Sequence, residues 1–116
     1  AKFERKQFDY VPKGRKTPLQ TTSTRKVYFR DPELGGWVRQ QANGICEGCG
    51  KVSPFKKDGK PFLEVHHVKH MSQEGSDQPS NVVALCPNCH QRCHHSDDRA
   101  EFTAWLYDNV GRLEEE

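Results

Sequence analysis

Cysteine and histidine are the residues whose types and spacing could do chemistry in this chain, and the cysteines form the first group. Two residues separate Cys46 from Cys49, and two separate Cys86 from Cys89. Four thiolates in two close pairs, far apart in sequence, suit a tetrahedral structural zinc ion. Such an ion would tie the end of one helix to the start of another, so metal binding would be part of folding. The alternative is four buried thiols or a redox pair, which would not need a second matching pair.

Four histidines form the second group. His90 and His94 lie four residues apart on a predicted helix, so their rings share a face and can bind one ion. His66, at the end of a predicted strand, could supply a third nitrogen, and three protein ligands leave open positions as in catalytic metal sites. His67 is then an imidazole that does not bind the metal. Adjacent side chains of a regular strand point to opposite faces, so His66 and His67 can serve one site only if the chain leaves regular strand geometry there. The alternative is four unrelated surface histidines.

The first element that must position these groups is a helix before the first cysteine pair. Asp31 can cap its N-terminus, and Pro32 suits the first helical position. Gly44 is a plausible stop. The apolar stripe expected on this helix consists of Leu34, Trp37, Val38 and Ala42.

Short strands and loops are predicted between the two cysteine pairs. Residues 51–60 indicate a polar hairpin that turns at Asp58-Gly59. Residues 62–66 and 82–85 are predicted strands, and a long polar loop over 69–80 joins them.

Two further helices are predicted after the second strand. One runs from Cys86 to about His95. Asp97 or Asp98 caps the last one, and Gly111 ends it. Its predicted packing stripe consists of Phe102, Trp105, Leu106 and Val110.

Composition narrows the possible classes of protein. The chain has 116 residues, 33% of them hydrophobic and 29% charged, with a mean hydropathy of −0.97. This length excludes a barrel or a dinucleotide-binding fold. The low hydrophobic fraction indicates a small core, and a small core usually needs a metal, disulfides or a partner for stability. The five cysteines are an odd number and no signal peptide precedes them, which argues against a disulfide framework and favours the cytoplasm. No apolar stretch approaches the roughly 20 residues of a membrane span.

Charge divides the chain into a basic N-terminal arm, residues 1–30, and a domain, residues 31–116. The arm holds nine basic and two acidic residues, a net charge of +7, and the domain holds nine basic and fourteen acidic residues, a net charge of −5. A basic arm favours a polyanion such as nucleic acid as partner, and a solvated tail is the alternative. A short strand near residues 27–29 is predicted within it. Its aromatic residues could stack on bases or dock on the domain: Phe3, Phe8, Tyr10, Tyr28 and Phe29.

The motif residues resemble those of the HNH (ββα-metal) endonucleases. The resemblance rests on the segment 63–67 (Leu-Glu-Val-His-His), on Asn81, and on His90 and His94. Eight residues separate Asn81 from His90 and three separate His90 from His94, which is the family's pattern. The segment 85–90 (Leu-Cys-Pro-Asn-Cys-His) is similar to the form found in bacterial and phage restriction-type systems. The resemblance covers about residues 37–95.

This resemblance implies a fold and a role for each motif residue. The fold would be α+β, a small ββα-metal, treble-clef-like domain with flanking helices. His67 would be the general base, Asn81 would hold the loop carrying it by backbone hydrogen bonds, and Glu64 would orient a histidine or a basic partner. The four cysteines would bind the structural zinc of one branch of the family. One divalent catalytic metal would be held by His66, His90 and His94.

The function implied is metal-dependent hydrolysis of DNA phosphodiester bonds, by nicking or by double-strand cleavage. We expect mostly phosphate contacts with DNA, no membrane association, and a monomer or a weak homodimer. Three imidazoles accept Zn²⁺, Ni²⁺ or Mn²⁺, with Mg²⁺ a poorer match. The alternative is a non-catalytic zinc module that binds nucleic acid. A secreted bacteriocin-like nuclease toxin would require an immunity partner and translocation domains.

Five residues near the motifs have open roles. Cys93 is interpreted as a small buried hydrophobe, with competition for the zinc as the alternative. His95 is an alternative metal ligand next to His94, and His70 is expected to be exposed to solvent. Lys69 and Arg92 are candidates for phosphate contacts or for surface salt links.

Overall fold

A computed structural model describes residues 2–116, the side chain of Lys2 excepted. Two short antiparallel hairpins and three helices give the α+β fold that the sequence predicts. The helices are α1 (Pro32–Ala42), α2 (Pro87–His95) and α3 (Arg99–Asn109), and the strands are β1 (Lys56–Lys57), β2 (Lys60–Pro61), β3 (Glu64–His67) and β4 (Val82–Leu85). Single 3-10 turns lie at Lys2–Arg5, Met71–Gln73 and Pro79–Asn81.

Helix α1 begins and ends through capping. The side chain of Asp31 accepts a hydrogen bond from the backbone N–H of Glu33 at 2.9 Å, which confirms the predicted N-cap. The helix ends at Ala42 because Asn43 takes a left-handed conformation (φ 51°), one residue before the predicted stop at Gly44.

The buried face of α1 is narrower than predicted. Leu34, Val38 and Ala42 are buried against β3 and β4. Trp37 was expected in the same stripe but is 38% exposed. The prediction was wrong for Trp37 because its position turns away from the strands that cover the other three residues.

The β1–β2 hairpin turns where the sequence predicts. Asp58 and Gly59 both have positive φ, 52° and 76°, as the tight two-residue turn between antiparallel strands requires. Both strands are exposed along their whole length.

The second hairpin carries the histidines. Antiparallel pairing sets His66 opposite Val83 and His67 opposite Val82. Every residue of β4 is buried. The predicted strand over 62–66 is shifted to Glu64–His67. Both histidines lie in continuous register within β3, so the departure from strand geometry that a shared site was expected to need does not occur.

The loop between β3 and β4 folds back tightly on itself. A Cβ atom at Gly75 would lie 1.8 Å from the carbonyl oxygen of Lys69. Only glycine fits this close approach of two backbone segments. Asn81, at the end of the loop, is completely buried.

The two C-terminal helices pack against each other. In α2, the Sγ atom of Cys86 accepts a hydrogen bond from the N–H of Cys89, and Pro87 occupies the first turn. Asp98 occupies the N-cap position of α3, as predicted, but its side chain makes no capping hydrogen bond and instead binds Ser96 and Arg92.

The apolar stripe of α3 is also narrower than predicted. Phe102, Leu106 and Val110 are buried, whereas Trp105 is 43% exposed. The helix ends at Asn109, two residues before the predicted Gly111. The prediction of Trp105 as a core residue was wrong. Its ring stacks on the solvent side of Phe102, with the two ring centroids 6.1 Å apart.

Residues 7–30 form no helix or strand, so the strand predicted near 27–29 is wrong. Val27 is 81% exposed and Phe29 is 99% exposed, and no other strand pairs with this segment. The radius of gyration, 17.8 Å, exceeds the value of about 13 Å for a compact domain of this length because the arm is extended. None of the helices in the described part of the chain is both long and apolar enough to span a membrane.

Candidate active site and zinc centre

The four paired cysteines converge at one point. Cys46 and Cys49 follow α1, and Cys86 and Cys89 lie at the start of α2. Their Sγ atoms all lie within 4.8 Å of one another, and those of Cys49 and Cys86 are 4.0 Å apart. Thiolates bound to one tetrahedral zinc at about 2.3 Å are about 3.8 Å apart. The donor set and its dimensions therefore fit a zinc ion.

Backbone amides prepare one of these thiols for a metal. The Sγ atom of Cys46 accepts hydrogen bonds from the N–H groups of Gly48, Cys49 and Cys86 at 3.2–3.5 Å. Burial raises the pKa of Cys46, but these amides outweigh it and the pKa is lowered. A thiolate is the form that binds zinc.

Cys93 lies outside the four-cysteine group. Its side chain is buried, and burial raises the pKa of the thiol to about 11. A neutral, buried thiol agrees with the interpretation of Cys93 as a small hydrophobic residue.

Three histidines form a second cluster. His66 comes from β3, and His90 and His94 come from successive turns of α2, which packs on β3. Each offers a ring nitrogen, and these nitrogens lie within 4.8 Å of one another. The ring centroids of the three pairs are 4.9–5.1 Å apart.

Burial and the neighbouring imidazoles lower the pKa of two rings of this cluster, His66 and His94. Burial, reinforced by the neighbouring imidazoles, lowers the pKa of His66 to about 3. The pKa of His94 is lowered for the same reasons. Neutral imidazoles keep the lone pair that a metal ligand donates, so three nitrogens here fit a divalent transition-metal ion.

Glu64 sets the orientation of one of these rings. Its Oε1 atom lies 3.2 Å from Nδ1 of His90. An ionised carboxylate only accepts hydrogen bonds, so Nδ1 of His90 carries the proton and Nε2 keeps its lone pair.

His67 has a carboxylate partner that sequence reasoning missed. Its Nε2 atom lies 2.8 Å from Oδ1 of Asp77, and the histidine is only 7% exposed. The other oxygen of Asp77 accepts the backbone N–H of Asp31 at 2.7 Å. Partial burial raises the pKa of Asp77, but the two hydrogen bonds have the larger, opposite effect, and the net pKa is lowered. The group is therefore a carboxylate. Nε2 of His67 is therefore the donor, and Nδ1 is the free acceptor.

Asn81 ties the loop after β3 to the start of β4. Its Oδ1 atom accepts the N–H of Lys69 at 2.9 Å. Its Nδ2 atom donates to the carbonyl oxygens of Lys69 and Ser76 at 2.9 and 2.8 Å. Every hydrogen-bonding group of the buried amide is thus used on the backbone of the loop that carries Asp77.

The remaining histidines differ in their positions. His70 was expected to be exposed but is half-buried, with its ring centroid 4.7 Å from that of His94 and 5.7 Å from that of His66. The prediction was wrong because the loop folds back over the cluster. His95 is exposed, and its ring centroid is 6.1 Å from that of His94.

One surface cleft contains both the cluster and His67. Its walls also include His70, Met71, Tyr28 and Arg30, the last two from the arm. Arg92, a candidate phosphate contact, is instead bound to Asp98 at 2.5 Å and lies over the ring of Phe102. The arrangement thus brings His67, whose Nε2 atom is held by Asp77, into one cleft with three clustered histidine nitrogens.

The sequence and the fold were compared with those of known proteins. The sequence profile of the HNH endonucleases matches residues 46–96. The Type IV methyl-directed restriction enzyme EcoKMcrA of Escherichia coli (strain K12) is 48% identical over 104 residues, which are 89% of this chain and 38% of that enzyme. The Type IV phosphorothioation-dependent restriction endonuclease ScoMcrA superposes with a TM-score of 0.63 and 33% identity, over 72% of this chain and 16% of that chain. The chain thus spans well under half of either relative; its residues 46–96 match the HNH endonuclease family, and both relatives are restriction enzymes.

Proposed function

We propose that this chain hydrolyses phosphodiester bonds of DNA with the aid of one divalent metal ion. The observation that carries the proposal is the convergence of three histidine ring nitrogens in a cleft that also contains a fourth histidine, whose ring is held by a carboxylate. The names of both relatives are those of restriction enzymes, which supports DNA as the substrate.

The metal would be held by His66, His90 and His94. When bound, a divalent cation supplies Lewis-acid stabilisation of the negative charge on the phosphate and on the departing oxygen. Glu64 holds the ring of His90 in the tautomer that this role needs.

His67 would be the general base. The hydrogen bond from Nε2 to Asp77 leaves Nδ1 to accept a proton from the attacking water. The proton then lies on an imidazolium whose charge is stabilised by Asp77. We therefore assign Asp77 as a positioning residue that fixes the tautomer and the orientation of His67.

Asn81 would act on the same base from a distance. It fixes the loop backbone at Lys69 and Ser76, and Ser76 immediately precedes Asp77. Its role is therefore to hold Asp77 in place beneath His67.

The four paired cysteines would bind a structural zinc ion. Four protein thiolates fill a tetrahedral site and leave no position for substrate. The zinc would join the turn after α1 to the N-terminus of α2, from which two of the histidine ligands project.

The test is incubation of supercoiled plasmid with the zinc-loaded protein and Mg²⁺, Mn²⁺, Ni²⁺ or Zn²⁺. We expect nicked circles with at least one ion, no product with a brief excess of EDTA, and recovery when the ion is returned. His90→Ala should abolish the response to the ion, whereas the matched variant His95→Ala should keep it. Binding of DNA without cleavage under every ion would overturn the proposal in favour of a non-catalytic zinc module.

A further inference from the structure

Three surface clefts that share lining residues extend from the histidine cluster to the β1–β2 hairpin, and together they are called the groove. The cleft containing His66, His90 and His94 shares Val65 and His67 with a second cleft. The second cleft lies between α1 and β3, and its far wall includes Arg39 and Leu63. These two residues also line a third cleft, which ends at Lys60 and Pro61 of β2.

Three basic and three acidic side chains line this groove. Arg30, Arg39 and Lys60 line it, and none of them forms an ion pair with any residue of the described chain, 2–116. The acidic residues that also line it keep their charge, and Arg30 helps to lower the pKa of Asp77, but their oxygens are hydrogen-bonded within the protein. Each accepts a hydrogen bond from within the protein: Asp31 from Glu33, Glu64 from His90, and Asp77 from His67 and Asp31.

Arg39 is held in a position suited to an anion. Its Nε atom donates a hydrogen bond to the carbonyl oxygen of Leu63 at 3.0 Å, at the point where the chain enters β3. This bond fixes the guanidinium plane and leaves both terminal nitrogens to bind. A pre-oriented guanidinium matches the oxygens of a phosphate, with less side-chain entropy lost on binding.

The hairpin at the end of the groove is a compact basic surface. Lys56, Lys57 and Lys60 are exposed on its two strands. At its base Phe55 stacks on Phe62, with ring centroids 4.6 Å apart, and their backbones are hydrogen-bonded. The stack and the tight turn make the hairpin a rigid carrier for these lysines.

We propose that this groove binds the sugar–phosphate backbone of the DNA strand being cut. Arg39 contacts a phosphate beside the scissile one, and the lysines of the hairpin contact phosphates farther along the duplex. The inference rests on the proposed function, because the histidine cluster defines where the scissile phosphate lies. A solvated basic face, with no part in binding, is the competing explanation.

The first test measures Arg39 by fluorescence anisotropy with a labelled DNA duplex. The zinc-loaded His67→Ala protein is used so that binding is read without cleavage. Arg39→Gln should weaken binding roughly tenfold at moderate salt, because a charge-assisted contact is lost. It should also reduce the slope of log K against log[salt] by about 0.9, the value for one phosphate contact. Arg99→Gln is the matched control, since Arg99 also donates one side-chain hydrogen bond to a backbone carbonyl, that of Ser96.

The second test replaces the hairpin lysines together, as Lys56→Gln/Lys57→Gln/Lys60→Gln. The salt slope should fall by more than in Arg39→Gln, and circular dichroism should be unchanged because all three side chains are exposed. If both variants bind DNA with the affinity and salt slope of the wild type, the groove does not bind the DNA backbone. This conclusion would hold even if the wild-type protein cleaves DNA. Weakened binding in both variants, in a protein that cleaves under no ion, would instead overturn the proposed function and leave the groove standing.

Discussion

At the scale of single residues, the decisive side chain is His67, and its replacement is the first prediction. His67→Ala should lower the cleavage rate by about 10²- to 10⁴-fold, the typical contribution of a general base. The side chain contacts Asp77 and is not one of the three clustered ring nitrogens, so zinc content and metal binding should be retained. Single-turnover nicking rates measure the loss, and mass spectrometry under native conditions measures the metals.

The control for this prediction is His95→Ala. His95 is exposed and lies outside the cluster, so its loss removes an imidazole without touching the site. A His67→Ala protein that cleaves at the wild-type rate would show that another group takes the proton.

Asp77 is the subject of the second prediction, because its proposed effect on cleavage is exerted through His67. Asp77→Ala should lower kcat roughly 10- to 100-fold, the usual cost of losing a group that orients a reactive side chain. KM for DNA should change little. The ring of His67 should no longer favour one tautomer, which ¹⁵N chemical shifts of the imidazole nitrogens report directly.

A merely structural role for Asp77 would give a different result. The carboxylate also accepts the N–H of Asp31, so some loss of stability at the start of α1 is expected in any case. Reduced stability with an unchanged tautomer of His67 would contradict the positioning role. Asp97→Ala, which removes an exposed carboxylate, is the matched control.

At the scale of elements, Asn81 shows how a buried amide controls a loop. Asn81→Ala removes three hydrogen bonds and leaves the N–H of Lys69 and two carbonyl oxygens without their partner. The expected cost is about 2–4 kcal/mol in free energy of unfolding. Cleavage should fall as well, because the loop that holds Asp77 loosens. Thermal unfolding and nicking rates measure the two effects.

The matched variant is Asn88→Ala, on the exposed surface of α2. It should change the melting temperature by little and leave cleavage intact. Equal stability of the Asn81→Ala and Asn88→Ala proteins would contradict the anchoring role of Asn81.

Elements with a local signal were predictable from the sequence. The Asp31 cap placed α1, the Asp58-Gly59 pair placed the hairpin, and the apolar run 82–85 placed β4. The clustering of the cysteines and of the histidines was also predictable, because much of their spacing lies within short segments. The cluster of four cysteines and the cluster of three histidines form as the spacing indicated.

What the sequence could not place depends on contacts between distant segments. Asp77 lies ten residues from His67 in a polar loop, where no periodicity tells which acid turns inward. The burial of His70 was not predictable either, because it depends on how the same loop folds back. Trp37 and Trp105 fit the helical stripes but lie at their margins, where no other element covers them. The segment 27–29 has strand-forming residues but no neighbouring strand with which to pair.

At the scale of the whole molecule, a small core is closed by polar links between segments far apart in the chain. Arg112 binds Glu47 with two hydrogen bonds of 2.5 and 2.7 Å, and it also donates to the carbonyl oxygen of Val82. Glu47 lies between the first two cysteines and accepts the N–H of Ala84. The C-terminal segment, β4 and the cysteine turn are thus joined at one point beside the four-cysteine group.

Removal of the structural zinc is the last prediction, and it concerns the whole fold. The core is one cluster of buried residues, and two of the four clustered cysteines, Cys46 and Cys89, are part of it. Without the ion, four thiols lie close together with nothing to hold them. The burial and the neighbouring thiols that raise the pKa of Cys89 then oppose its ionisation. We expect a strong chelator to unfold the domain cooperatively, because metal binding and folding share one free energy.

Far-UV circular dichroism and amide NMR spectra during chelation test this expectation, with refolding on the return of zinc as the reversal. Cys89→Ser should reproduce the loss of structure. Cys93→Ser is the matched control, since Cys93 is also buried on α2 but lies outside the four-cysteine group. It should lower the stability without changing the zinc content. A chelated protein that keeps its native spectrum would show that the core alone, with the Glu47–Arg112 pair, is sufficient to hold β3 against α2.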